Sequence, residues 1–262
     1  MNAGVALLLA VIGFLTGGFG ALAGVGGGVI LTPLLAIYFG LPMHQAIGVS
    51  LICVIATSTA TSSLYVEQRI TDIRLGMTLE LATTLGALIA ALMAHSVERR
   101  TLAFLFGGFL LYSSLSMVKK AWESRKQVRE ETVPEYTVQN YPLGMAASLI
   151  AGGFSGLLGI GGGPIKVPVI YLFMKVPLRV ATATSNFMIG VTAATSAYIY
   201  WGRGDVNMTV AAPLVAGVFA GSLLGARLAS KVRSFYVLVL LIVVTGWLAW
   251  EMLYKLLTGG FK

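Results

Sequence analysis

Residues 159–170 read GIGGGPIKVPVI, which puts four glycines, two prolines and a lysine inside an otherwise apolar run. Segments that cross a membrane are normally unbroken helices, because a helix satisfies every backbone N–H and C=O from within. Here the run is broken, and a positive charge stands beside the break. A stretch of the same form, GVGGGVILTP, occupies residues 24–33.

The two stretches belong to one internal repeat. With an offset of 135 residues, GGFGALAGVGGGVILTP (17–33) lies over GGFSGLLGIGGGPIKVP (152–168). The register continues without a gap: Pro42 meets Pro177, Ala46 meets Ala181, Ser50 meets Ser185, Thr57 meets Thr192 and Tyr65 meets Tyr200. Over residues 17–65, 15 of 49 positions are identical, and the matches persist well past the glycines, so composition alone does not produce them. The chain is two copies of one unit, a common plan in transporters.

Composition defines the unit. Of 262 residues, 57% are hydrophobic and 11% charged, less than half the charge of a typical soluble domain. The mean hydropathy is +0.86. No Asp, Glu, Lys or Arg occurs in residues 1–66, a run far longer than the roughly 20 apolar residues that span a bilayer. The alternation of a membrane β-barrel is missing. The sequence therefore predicts an all-α polytopic membrane protein. The N-terminus has no basic segment, so no cleaved signal peptide is expected. A net charge of +8 raises nucleic acid as a partner, but the basic residues sit at the ends of apolar segments, as they do beside a lipid bilayer. The one cysteine, Cys53, excludes an intramolecular disulfide. His44 and His95 stand far apart in sequence, so no metal site is expected, and no cofactor.

Each copy opens with a long glycine-broken element (4–39 and 142–174). Three clean spans follow, at 45–66, 75–95 and 101–119 and then at 180–201, 207–229 and 233–256. The first repeat covers 1–121 and the second 141–262, joined by a mixed-charge cytoplasmic linker at 122–140. About 35 residues of helix would be roughly 52 Å long, too long for one crossing. A hairpin that returns to its starting side resolves this, and it makes the copies inverted. It also leaves the larger Lys/Arg excess on the linker side, as the positive-inside rule favours. Both termini are then periplasmic.

Irregular backbone at membrane depth must be buried in protein or line a wet cavity. Gly26, Gly27 and Gly28 and their partners Gly161, Gly162 and Gly163 permit such backbone, and Pro164 suits the first turn of a returning helix. Each break then ends in a half-helix N-terminus, whose free N–H groups suit an anion. The bland alternative is that the glycines only let helices pack closely. Lys166 would add charge to the site, unless it snorkels to the surface. Its counterpart is Leu31, so the repeat does not demand the charge. Ser50 in one copy and Thr184, Ser185 and Asn186 in the other offer hydroxyls and an amide for an oxyanion. Glu80 is either a proton site or an interfacial partner of Arg74, and its position near a span end favours Arg74.

The doubled G-x-G-G-G-x-x-x-x-P pattern in GVGGGVILTP and GIGGGPIKVP, together with ATSNF in the second copy, resembles the TauE/SafE family of sulfite and organosulfonate exporters over essentially the whole chain. The resemblance implies a bacterial inner-membrane secondary transporter of small anions such as sulfite, sulfoacetate or sulfonates. It carries Gly24, Gly26, Gly27, Gly28, Pro33, Gly159, Gly161, Gly162, Gly163 and Pro168 as structural and site positions. Neither glycine stretch ends in the Lys-Ser/Thr of a P-loop, so an ion gradient, with protons as the expected coupling ion, or the substrate's own gradient supplies the energy. An anion channel or an uptake permease would use the same site. A membrane enzyme is disfavoured, because no base stands beside a nucleophile.

Overall fold

The computed structural model describes residues 3–126, 135–229 and 234–258, with the backbone alone for 119–126 and 234–238. Ten helices follow in order: α1 (Ala3–Ala23), α2 (Gly28–Ile37), α3 (Met43–Glu67), α4 (Ile73–Ala94), α5 (Arg99–Lys126), α6 (Tyr141–Leu158), α7 (Gly163–Phe173), α8 (Leu178–Gly202), α9 (Met208–Leu228) and α10 (Ser234–Leu257). Seven of them, α1, α3, α4, α5, α6, α9 and α10, are long and apolar enough to cross a membrane. The chain is an all-α, multi-pass membrane protein. Large apolar side chains such as Leu81, Leu115 and Trp250 point outward, as a lipid-facing surface requires. At 25 residues α8 has the length of a span, but Thr184, Ser185, Asn186, Thr192 and Ser196 dilute its hydropathy, and all five are buried.

The 135-residue offset extends into backbone detail. Pro42 and Pro177 stand before α3 and α8 with nearly equal dihedrals. Asp72 accepts from the Leu75 amide to cap α4, and its counterpart Asn207 accepts from Thr209 to cap α9. Proline interrupts both returning half-helices, at Pro33 and Pro168. After Pro168 the chain continues as a π turn, Val169–Phe173, consistent with proline's missing N–H loosening the ladder.

The second broken element goes out and comes back. The Gln139 amide donates to the Met174 carbonyl at 3.1 Å and Asn140 Nδ2 to the Phe173 carbonyl at 2.9 Å, so α6 begins where α7 ends. Pairs that cross between the copies run antiparallel. In α3 and α8, Gly48 lies against Asp205 just beyond the end of α8, whereas Asp72, just beyond the end of α3, donates to Thr184 near the start of α8. In α5 and α10, Gly107 meets Leu253 and Ser114 donates to the Ile242 carbonyl. Antiparallel partners are what two inverted copies produce.

The hairpin arms are exchanged between copies. α1 packs along α9, and α6 along its counterpart α4. Both contacts are made of small residues that let backbones touch. A Cβ on Gly217 or Gly221 would strike the carbonyls of Ala10 or Phe14, and one on Gly152 or Gly156 those of Thr83 or Ala87.

The linker expected at 122–140 is met only at its ends, since 127–134 lie outside the described residues. α5 runs on to Lys126, and Tyr136 and Val138 pack on a cluster around Leu75, Leu79 and Met174. Lys231, Arg233 and Lys262, which entered the charge balance, also lie outside the described residues.

Candidate functional site

The two glycine breaks meet. The carbonyl of Gly159 stands where a Cβ on Gly28 would be, and the carbonyl of Gly24 lies 2.9 Å from the Cβ position of Gly163. Gly24, Gly26, Gly159, Gly161 and Gly162 all have φ between +70° and +74°, a conformation that side-chain-bearing residues rarely adopt. Ile189 of α8 and Val54 of α3 wall the crossing against both Gly26 and Gly161.

This backbone leaves donors unspent. Gly28 donates back to Gly26, while Ile165 and Lys166 donate to the Gly162 carbonyl. Among the described residues, the amides of Gly26, Gly27, Gly161 and Gly162 form no hydrogen bond to another backbone group by strict geometry. Buried N–H groups are nearly always paired, so unpaired amides gathered around one crossing are unusual.

The structure sorts the polar residues. Ser50 Oγ donates to the Gly159 carbonyl at 3.1 Å and so braces the second break. Thr184 turns toward α4, where its Oγ1 accepts from the Asp72 amide at 3.0 Å. Ser185 and Asn186 are fully buried, and the Ser185 hydroxyl and both Asn186 side-chain atoms have no hydrogen-bond partner. Asn186 Nδ2 stands 3.7 Å from the Cβ position of Gly24, at the rim of the first break.

Lys166 does not snorkel. It is 2% exposed, and its Cε lies 3.4 Å from the Cβ position of Gly162, so the side chain crosses the second break. Glu80 does not pair with Arg74. The span begins at Ile73, two turns earlier, so Glu80 points inward at 5% exposure while Arg74 stays at the exposed first turn. Its Oε2 lies 3.6 Å from Lys166 Nζ. Thr192 joins the two charges, accepting from Lys166 Nζ at 3.1 Å and donating to Glu80 Oε1 at 2.6 Å. Thr84 donates to the same oxygen at 3.1 Å.

Thr192 and Thr84 escaped the sequence reading. Thr192 carried a signal: it pairs with Thr57 in the repeat and lies two helical turns beyond Ser185 on the same face of α8. The positions matching Lys166 and Glu80 are Leu31 and Val215, so the charged cluster exists once. His44 and His95 end with ring centroids 6.2 Å apart, nearer than their separation in sequence suggested.

Exchanged hairpins with broken helices meeting in the protein interior, and a buried ion pair beside them, define a class of membrane transporter. The chain belongs to the sulfite exporter TauE/SafE family, whose model matches residues 9–252. It is similar to the probable membrane transporter protein YunE of Bacillus subtilis, 27% identical over 95% of this chain and 97% of that one. A probable membrane transporter protein of Methanocaldococcus jannaschii is 26% identical over 91% and 92% of the two chains. Another, from Xylella fastidiosa, is 27% identical over 84% and 82%. No solved structure matches the chain.

Proposed function

We propose that this transporter carries small sulfur-containing oxyanions, sulfite, sulfoacetate or organosulfonates, across the bacterial inner membrane, in the export direction and with both termini periplasmic. The observation that carries the reading is the set of unpaired amides at the crossing of the two breaks, with the unpartnered Asn186 amide at the rim of the first. The carbonyls of Gly24, Val25, Ile160 and Gly161 meet no backbone donor either, so what favours an oxyanion is the set of amides at the starts of the two returning half-helices together with the Asn186 amide. Fixed amides replace the hydration that the anion gives up on entering, without the cost of further buried charge. Gly26, Gly27 and Gly161–Gly163 supply amides, and Ser185 and Asn186 supply side-chain donors. Gly28 and Ser50 hold the crossing in shape, and Thr184 ties α8 to α4. Rocking of one copy against the other about the crossing would expose the anion to each side in turn. No cofactor takes part.

The test is uptake into proteoliposomes of labelled sulfite and sulfoacetate, with chloride and acetate as controls. Saturable, counterflow-competent flux of the sulfur anions alone supports the proposal. Flux that does not saturate, and single-channel currents, would identify a channel instead. Equal flux of acetate would sink the substrate class.

A further inference from the structure

The Lys166–Glu80 pair poses a problem for an anion site. With Glu80 ionised, the ammonium is already neutralised, and an incoming anion would leave the buried cluster with net negative charge. Uncompensated charge at this depth is strongly disfavoured. We infer that Glu80 is a proton site, and that its protonation frees Lys166 for the substrate, so that one proton and one anion bind together. The inference rests on the oxyanion reading above.

The charges balance in both states. Empty, the cluster holds one carboxylate and one ammonium. Loaded, it holds a neutral carboxylic acid, the same ammonium and the anion, so a monoanion enters and leaves with no net charge moved, and export runs on the substrate's own outward gradient rather than on the inward proton gradient. The geometry supplies the place for the proton. Glu80 Oε1 is occupied by Thr192 and Thr84, whereas Oε2 faces Lys166 at 3.6 Å with no hydrogen-bond partner. A proton arriving from water bonds to Oε2, the ion pair is lost, and Nζ keeps only its bond to Thr192. The carbon that bears the ammonium lies 3.4 Å from the Cβ position of Gly162, so the freed donors stand at the second break.

Among the described residues, the helices around the Lys166–Glu80 pair carry few other ionisable groups. On α4, Arg74 is exposed at the first turn. α6 carries only Tyr141, exposed at its first residue. α7 adds Tyr171, one and a half turns beyond Lys166. α8 carries exposed Arg179 at its start, and Tyr198 and Tyr200 near its end. On α5, Arg99, Arg100 and Tyr112 are exposed. Proton and anion affinities are then reciprocally linked through Glu80.

The test uses ethanesulfonate, which stays a monoanion across the range where sulfite itself titrates. Calorimetry on the purified wild type, at one pH in two buffers of different ionisation enthalpy, counts protons taken up per anion bound. The expected result is about one. Affinity should fall about tenfold per pH unit in the range where that proton uptake is lost. Glu80→Gln should bind with no proton uptake and no pH dependence, and Lys166→Met should lose binding at every pH. Ethanesulfonate binding to wild type without proton uptake overturns the inference and leaves the functional reading standing. So does a Glu80→Gln protein that keeps the wild-type pH dependence. If wild type binds neither ethanesulfonate nor sulfite at any pH, the functional reading itself falls, and the inference with it. The wild-type measurement decides even if a variant does not fold.

Discussion

Tyr65 and Tyr200 perform one task in two places. The Tyr65 hydroxyl donates to the Ala21 carbonyl at 3.4 Å, and the Tyr200 hydroxyl donates to the Gly156 carbonyl, 135 residues on from Ala21, at 3.2 Å. Both carbonyls belong to the last turn before a glycine break, where the helix can no longer supply a donor. Each phenol thus closes the end of a broken helix with a group from the neighbouring span.

Tyr65→Phe and Tyr200→Phe should therefore destabilise by similar amounts, about 1–3 kcal/mol each, because each leaves a buried carbonyl unpaired. Thermal unfolding of the detergent-purified variants reads this directly. A loss confined to one of the two would show that the copies do not share the device.

Adjacent glycines on α6 should behave oppositely. A Cβ on Gly152 would strike the Thr83 carbonyl, whereas Gly153 has open space around its Cβ position. Gly152→Ala should destabilise by about 1–3 kcal/mol through forced backbone separation. Gly153→Ala should be neutral or stabilising by up to about 1 kcal/mol, from helix propensity. Unfolding midpoints of the pair make the comparison, and equal effects would refute the close packing of α4 on α6.

Removing an unsatisfied buried amide should separate stability from function at Asn186. Asn186→Leu should unfold at the same temperature as wild type or higher when no anion is present, since no hydrogen bond is lost. It should also lose the stabilisation that sulfite gives wild type, which at 100 times the dissociation constant amounts to about 2.7 kcal/mol. An Asn186→Leu protein that keeps the sulfite response would remove Asn186 from the site.

The buried pair should be strongly non-additive. Lys166→Met or Glu80→Gln alone alters a buried ion pair, which typically costs on the order of 3–5 kcal/mol. The double variant should recover most of that loss, because no charge is left buried. Chemical unfolding of the four proteins gives the coupling. Additive losses would mean that the two side chains do not meet.

Tyr136, ahead of α6, donates to Asp72 Oδ2 at 2.9 Å. Burial and then the Asp72 hydrogen bond and charge push its phenol above the ordinary tyrosine value. Deprotonation of the folded form is disfavoured, so the bond's contribution is fully present below about pH 10 and is lost only as pH rises through the raised value. Tyr136→Phe should therefore increase proteolytic nicking in the 135–140 stretch equally at pH 6 and pH 9. A difference that vanished by pH 9 would mean that the phenol titrates lower.

The repeat and the breaks were legible because they are local. Glycine, proline and an unbroken register are printed in the chain, and the register reaches caps as small as Asp72 and Asn207. The inward role of Glu80 was not legible. Distance from a span end is a fair guide to depth, but the face of the helix decides what a side chain meets, and the partner lies 86 residues away on an element of the other copy. The sequence also suggested that Lys166 would act alone. Burial of a lysine demands a counter-charge, and only the fold reveals which carboxylate supplies it. Asn186 was found by type, but its lack of partners belongs to the packed interior of α8.

The exchanged packing of α1 on α9 has a consequence for how the protein is made. α1 is synthesised well ahead of α9, with seven helices between them, so the glycine face of α1 waits through their synthesis for its complement. Released alone, the first copy would present two bare small-residue faces, on α1 and α4, each shaped for a helix it does not own. Neither half is a finished product, and the ribosome must deliver α9 before the hairpin that holds the site can lock.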